Sequence, residues 1–227
     1  MPDLSLENRL WTEGFRVVGC DEAGRGTWAG SLYVGAVTLY KGHIPLVQSL
    51  LTDGILRDSK KMTPNQRYKV YRHMMENGIP YAVGDATAGE IDQHGIEYAF
   101  VLALHRAGEM LTALEKQAQR SPAELYQKTA ILIDGRRYKD LRIQDKSLSE
   151  AIDYEVVAED KLDDACATVA LASIAAKCHQ SITMVGMDLV FKEYGFARHK
   201  GYVTKAHREA VAKHGLSVIH RQSWEVK

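Results

Sequence analysis

The sequence predicts an α/β domain, a mixed five-stranded sheet flanked by helices, with a basic helical segment at its C-terminal end. Three observations lead there. Five short apolar runs have strand length and end in turn residues. Two boxes, "TPNQ" and "TAGE", carry the Thr-x-x-Gln/Glu signature of a capped helix start. Strands cluster first in the chain and then alternate with helical patterns, an order that suits a mixed sheet. The chain has 227 residues, 45% of them hydrophobic and 26% charged. That suits one domain, or one with a small appendage, and a core of useful size.

The elements follow in order. "FRVVGC" (15–20) is a buried strand, and Asp21 and Glu22 come directly after it. "SLYVGAVTLY" (31–40) is rich in β-branched and aromatic residues, so a second strand. Thr63 caps a helix with Pro64 at its first position and Gln66 closing the box, running to about Glu76. "PYAVGDA" (80–86) is the third strand. Thr87 and Glu90 open a helical pattern that runs to about Lys116, and Ser121-Pro122-Ala123-Glu124 opens a short helix. "AILID" (130–134) and "YEVVA" (154–158) are strands four and five. Asp163-Asp164 precede the long buried helix of "ACATVALASIAAKCHQSITMVGMDLVF". From Gly195 on, the tail is loop plus a basic helix near 204–214.

Composition excludes several classes. No apolar run reaches the roughly 18 residues of a membrane span. The start, "MPDLSLENRL", lacks a basic and then an apolar signal region, so no secretory leader is expected. Cys20, Cys166 and Cys178 are odd in number and widely spaced, which suits a reducing compartment, the cytoplasm. Net charge is zero, but it is unevenly spread. Residues 190–227 hold eight Lys/Arg and three Asp/Glu, a net of +5 against −5 for the remainder. A basic end on an acidic body can meet phosphates, or can be an ordinary solvated helix face.

Gly24-Arg25-Gly26-Thr27-Trp28-Ala29 satisfies G-x-G-x-x-A, the dinucleotide fingerprint. Its context fails. A strand-like run follows where a helix should open. No Asp or Glu lies between Glu22 and Asp53 to take the ribose hydroxyls. Asp21 and Glu22 would also repel a pyrophosphate.

Three acidic sites sit at element boundaries: Asp21-Glu22, Asp134 and Asp163-Asp164. Asp134-Gly135 alone is an ordinary turn pair, and Asp163 or Asp164 alone an ordinary helix cap. Together they make a different case. Two carboxylates 4 Å apart cost about 4 kcal/mol at an effective dielectric of 20. A converging set therefore needs cations, and all-oxygen ligation suits Mg²⁺ or Mn²⁺. Zinc is not expected, since no C-x-x-C or H-E-x-x-H occurs. Two such ions about 3.5–4 Å apart would serve phosphodiester hydrolysis.

Seven segments carry a resemblance, in order, over residues 17–224. They are "GCDEAGRGTWAG", "RDSKKMTPNQR", "ATAGEIDQHGI", "ILIDG", "EDKLDDACATVALASIAAK", "YGFARHKGYVTKAH" and "GLSVIHRQSW". The set resembles ribonuclease HII, the type 2 ribonuclease H family. The resemblance implies a ribonuclease H-like catalytic domain over 1–189 and a basic helical segment over 190–227 packed on it. It implies cleavage of RNA in RNA–DNA hybrids and incision 5′ of single ribonucleotides in duplex DNA, as in ribonucleotide excision repair. It implies Asp21, Glu22, Asp134 and Asp163 as catalytic, metal-binding carboxylates for two ions, Asp163 by its ten-residue spacing to Ser173. Gly24, Arg25 and Gly26 would grip the ribonucleotide and its 2′-OH, and Tyr202 would stack on the following deoxyribose. Lys60 and Lys177 would contact phosphates. Without the resemblance, Tyr202 reads as a half-buried core residue, Lys60 as a solvated charge and Lys177 as a helix residue with a buried stem.

The chain also departs from the family pattern. Gln180-Ser181 stand where an Arg-Asp pair is usual, Thr27, Trp28 and Ser31 where Pro, Leu and Pro are usual, and Gly95 where Asn is usual. A catalytically impaired protein that only binds hybrid duplexes is therefore the alternative. The C-terminus shows no Q-x-x-L-x-x-F-F clamp-binding peptide, and no feature asks for more than a monomer.

Overall fold

Five strands form one sheet in the order β3-β2-β1-β4-β5. They are β1 (Phe15–Ala23), β2 (Leu32–Thr38), β3 (Tyr81–Ala86), β4 (Lys128–Asp134) and β5 (Asp153–Glu159). β1 and β2, and β2 and β3, pair antiparallel; β1 and β4, and β4 and β5, pair parallel. The computed structural model describes residues 1–118, 128–139 and 153–224. The helices are α1 (Ser5–Thr12), α2 (Ile44–Thr52), α3 (Pro64–Glu76), α4 (Ala88–His94), α5 (Ile96–Gln117), α6 (Ala167–Val190), α7 (Phe196–His199) and α8 (Lys205–His214). Among the described residues no helix is long and apolar enough to cross a membrane.

The period-2 alternation of β1 divides the core. Val18 and Cys20 pack with Ala99, Phe100 and Ala103 of α5. Val17 faces the other way, onto Leu10 of α1, Cys166 at the start of α6 and Val169 within it. On that face α6 lies almost in contact with the sheet backbone. A Cβ added at Gly19 would sit 2.4 Å from the Thr168 carbonyl carbon, and one at Gly35 2.3 Å from the Ala172 oxygen. Small residues at these two positions bring α6 down over the end of β1 that carries the acids.

α6 has no side-chain cap of its own, since Cys166 occupies the cap position. The fully buried Glu7 of α1 substitutes. Its Oε1 accepts from the Thr168 amide at 2.9 Å and hydroxyl at 3.0 Å. A carboxylate at a helix N-terminus also meets the positive end of the helix dipole. Arg16 and Glu115 form a buried ion pair that ties the start of β1 to the end of α5.

Several expectations need correction. β1 continues through Ala23, so Asp21 and Glu22 lie inside the strand, opposite Gly35 and Val34. Pairing with β2 extends β1 past its apolar run. The helical pattern from Thr87 breaks at Gly95, which has φ +82°, into α4 and α5. Asp163-Asp164 do not cap the long helix; they lie in a 3-10 turn, Leu162–Asp164, three residues upstream of its start. Sequence reasoning missed α1, α2 and α7. Each is short and stabilised by packing rather than by a cap motif: none of the three has a side-chain cap hydrogen bond. The helix expected at 121–124 lies outside the described residues.

Candidate active site

Three distant segments deliver three carboxylates to one place. β1 brings Asp21, the end of β4 brings Asp134, and the 3-10 turn before α6 brings Asp163. One oxygen from each lies within 4.8 Å of the others. Asp21 and Asp163 are 4% and 2% exposed. Asp134 is oriented by the Leu162 amide, which donates to its Oδ1 at 2.8 Å. Burial, then Asp21 and Asp163, raise the Asp134 carboxyl above its ordinary value against the pull of Lys60.

Glu22 stands beside this trio, not in it. Alternation along β1 turns it toward the α5 face. Burial first, and repulsion from Asp21 second, push its carboxyl up to about 7. Its Oε2 is buried and has no hydrogen-bond partner.

Lys60 and Lys177 face the acids. Lys60 Nζ lies 3.1 Å from Asp163 Oδ2, off hydrogen-bond alignment, and 4.0 Å from Asp134 Oδ2. Burial pulls the Lys60 ammonium down, but Asp163, Asp134 and Asp21 outweigh it and leave its pKa raised. Lys177 Nζ lies 3.5 Å from Asp21 Oδ2 and donates to Ser173 Oγ. Neither lysine is the isolated side chain that its local sequence suggests.

The D-S-K-K segment works as one piece. Asp58 Oδ1 accepts from the Lys60 amide at 2.8 Å and so fixes the turn. Ser59 Oγ meets Ser173 Oγ at 2.8 Å. Lys61 turns outward, to Asp58 at 3.4 Å and Asp164 at 3.3 Å. Asp163 and Asp164 thus divide: one joins the carboxylate trio, the other a surface ion pair. Asp58 and Ser59 were not singled out from the sequence, although they lie in a quoted motif, and Ser173 served there only to mark the spacing to Asp163.

The Gly24-Arg25-Gly26 turn follows directly. Gly24 has φ +81°, a conformation that favours glycine. No helix opens after it, so the dinucleotide reading lacks its anion site. The Arg25 side chain is held on two sides: Nη1 donates to Tyr138 Oη at 2.7 Å, and Nη2 pairs with Glu97. Tyr138 is itself stacked on Phe100 at 3.7 Å.

The tail folds back over this turn. The Trp28 amide donates to Gly201 O at 2.8 Å, and the Arg221 amide to Trp28 O at 2.8 Å. The Trp28 ring packs on His207 and His220, at 5.2 and 5.6 Å between centroids. Gln180 is buried, with its amide against Gly24 and Lys200 O. Two of the departures, Trp28 and Gln180, therefore lie in the contact between turn, α6 and tail. Tyr202 is 47% exposed, not a core tyrosine.

A relay of neutral histidines holds the backbone of Tyr202. The Ser217 amide donates to His220 Nδ1 at 2.9 Å, so the His220 proton sits on Nε2. That Nε2 donates to His207 Nε2 at 2.9 Å, and His207 Nδ1 then donates to Tyr202 O at 2.9 Å. Burial first, then His207, push His220 down to about 4. A base with a depressed folded pKa gives stability above its unfolded value, near 6.5, that is lost as pH falls toward 4. The loss should be measurable: between pH 7.5 and 5 the protein should lose about 2 kcal/mol, or roughly 4–8 °C in Tm, from this site. Thermal melts of wild type and His220→Asn across that range check it. An equal slope in both would rule the relay out as the cause.

The sheet order and the flanking helices define a class before any family: this is a ribonuclease H-like fold. The same fold is found in ribonuclease H2 from Pyrococcus horikoshii OT3, with a TM-score of 0.65 and 26% identity over 93% of this chain and 94% of that one. It is also found in Bst-RNase HIII in complex with Mn²⁺, with a TM-score of 0.60 and 20% identity over 89% of this chain and 63% of that one. The chain belongs to the ribonuclease HII family, whose model matches residues 18–227. Ribonuclease HII of Alkaliphilus metalliredigens is 35% identical over 225 residues, 99% of this chain and 97% of that protein. The protein is thus a type 2 ribonuclease H, a nuclease for the RNA strand of RNA–DNA hybrids.

The donor set fits a hard divalent cation. It is all oxygen, two of its three carboxylates are buried, and it concentrates negative charge that two lysines only partly offset. The unpartnered Oε2 of Glu22 is a further oxygen free to ligate.

Proposed function

We propose that the protein is a metal-dependent endonuclease that cleaves RNA in hybrids and incises 5′ of single ribonucleotides in duplex DNA. The convergence of Asp21, Asp134 and Asp163 from three separate segments carries this reading. Asp21 and Asp134 would share an ion on the nucleophile side, and Glu22 and Asp163 would complete the site. A bound pair of Mg²⁺ or Mn²⁺ ions supplies an activated water and neutralises the leaving oxygen. Water attacks phosphorus on the 5′ side of the ribonucleotide, leaving 5′-phosphate and 3′-hydroxyl ends.

The chain's own residues orient the substrate. Gly24, Arg25 and Gly26 meet the ribose and its 2′-OH, the group that separates RNA from DNA. The exposed ring of Tyr202 stacks on the next deoxyribose. Lys60 and Lys177 exchange their carboxylate partners for substrate phosphate. Residues 1–189 form the catalytic domain and 190–227 the segment closing over its turn. The protein acts as a monomer in the cytoplasm, in ribonucleotide excision repair, where its free buried thiols suit a reducing environment.

One assay tests this. A duplex holding a single ribonucleotide and a full hybrid are incubated with the protein in Mg²⁺, in Mn²⁺ and in EDTA. Cleavage of both substrates is expected with metal and none in EDTA, with a 3′-hydroxyl that a polymerase can extend. Tight binding without cleavage in either metal would instead favour the impaired binder.

A further inference from the structure

Arg221 is fully buried, 0% exposed, in a chain segment that the fold could have left at the surface. Its guanidinium makes four hydrogen bonds, all to backbone carbonyls of the glycine turn and its exit. Nη2 donates to Gly24 O at 2.6 Å and to Gly30 O at 3.1 Å, Nη1 to Arg25 O at 2.8 Å, and Nε to Gly30 O at 3.2 Å. A planar fork spreads its five donors from Nε to both Nη atoms and so reaches three separated carbonyls; an ammonium offers its three donors from a single point. Burial pushes the Arg221 guanidinium down to about 10, which leaves it charged at neutral pH.

Those carbonyls decide where two amides point. In a trans peptide the C=O and the following N–H face opposite ways. Holding Gly24 O therefore fixes the N–H of Arg25, and holding Arg25 O fixes the N–H of Gly26. Both are turned away from Arg221. The strut is latched in turn by α4. Asp92 accepts from the Gln222 amide at 2.8 Å and from the Ser223 amide at 3.0 Å and hydroxyl at 2.6 Å. The Arg221 guanidinium also lies over the Trp224 ring, 4.9 Å from its centroid.

We infer that Arg221, latched by Asp92, is a positioning residue that aims the Arg25 and Gly26 amides at the substrate's ribose. It touches no reacting atom. The inference rests on the proposed reading of the Gly-Arg-Gly turn as the ribose sensor. It gives the basic tail a task that net charge alone does not suggest: preorganising a recognition loop nearly 200 residues away in sequence.

The test compares wild type, Arg221→Lys and Asp92→Ala on two ligands. One is a duplex with a single ribonucleotide, read as kcat/KM. The other is the same duplex as all-DNA, read as its inhibition constant. An oriented site loses roughly 10–100-fold when its donors shift by about an ångström. Arg221→Lys should therefore lower kcat/KM on the ribonucleotide duplex roughly 10–100-fold. The all-DNA constant should stay within about twofold, since general duplex contacts are not made by the turn. Asp92→Ala keeps the fork but frees its anchor, and should move the same ratio the same way by less. Amide hydrogen exchange over residues 17–31 should rise in both. If Arg221→Lys fails to melt cooperatively, Asp92→Ala decides alone. A parallel loss on both ligands, or an unchanged ratio in Asp92→Ala with faster exchange, would overturn the inference. Failure of the wild type to distinguish the two duplexes would instead overturn the reading of the turn on which it rests.

Discussion

Asp134→Asn is expected to lower cleavage of a one-ribonucleotide duplex by about 10³-fold or more, the scale of losing one preorganised charge at a hydrolytic centre. Duplex affinity should remain within a few-fold, because Asp134 contributes no attraction to a polyanion. Asparagine keeps the oxygen that the Leu162 amide needs, so the local turn should survive. The same substitution should hold or raise Tm in EDTA. Burial and two neighbouring aspartates raise the Asp134 carboxyl, which means its charge is costly in the folded protein. Activity and stability should therefore move in opposite directions, as at sites built for function rather than for stability. Asp21→Asn should behave alike in cleavage. Single-turnover rates in Mn²⁺ and melts in EDTA measure both sides. Activity within tenfold of wild type, or cleavage persisting in excess EDTA, would sink the metal reading.

Gly35→Ala is expected to be among the most damaging small substitutions in the core, and the one of them that acts beside the site. The new Cβ would lie 2.3 Å from the Ala172 oxygen, 3.1 Å from its carbonyl carbon and 3.3 Å from the Ala176 nitrogen. All three are helix backbone, so no side chain can swing aside. Overpacking of this kind costs about 3 kcal/mol or more, roughly 6–12 °C in Tm for a chain of this size. The site should suffer as well. Gly35 pairs with Asp21, and Ser173 and Lys177 ride on the part of α6 that must move. Gly108→Ala is the control. It lies within α5 with nothing near its added Cβ, and should raise stability by about 1 kcal/mol. A Gly35→Ala protein that melts with wild type would mean that α6 does not rest on β2 as closely as described.

Much of this protein was legible in local chemistry. The capping boxes at Thr63 and Thr87 form with both reciprocal bonds, because they need only residues three apart. The five apolar runs became five strands of one mixed sheet, because alternation and β-branched content are properties of the run itself. The helix break at Gly95 was less visible, since the flanking pattern is helical on both sides. α1 and α2 were invisible, because what holds them is the core they complete.

The candidate site divides the same way. The sequence alone determined which residues could hold a hard cation: carboxylates next to apolar runs, with no cysteine or histidine motif to compete. It could not decide their grouping. Asp21 and Glu22 are neighbours in the chain, yet strand alternation turns them to opposite faces, while Asp163 arrives beside Asp21 from more than 140 residues away. Nor could it show that Lys60 faces Asp163, that Asp164 does not join the trio, or that Arg221 is buried under the glycine turn. A buried charge persists only where the fold supplies its partner, and the partner's place is a property of topology. Local propensity acts over a few residues; the electrostatics of this site act between segments that only the β1–β4 pairing and the descent of α6 bring together.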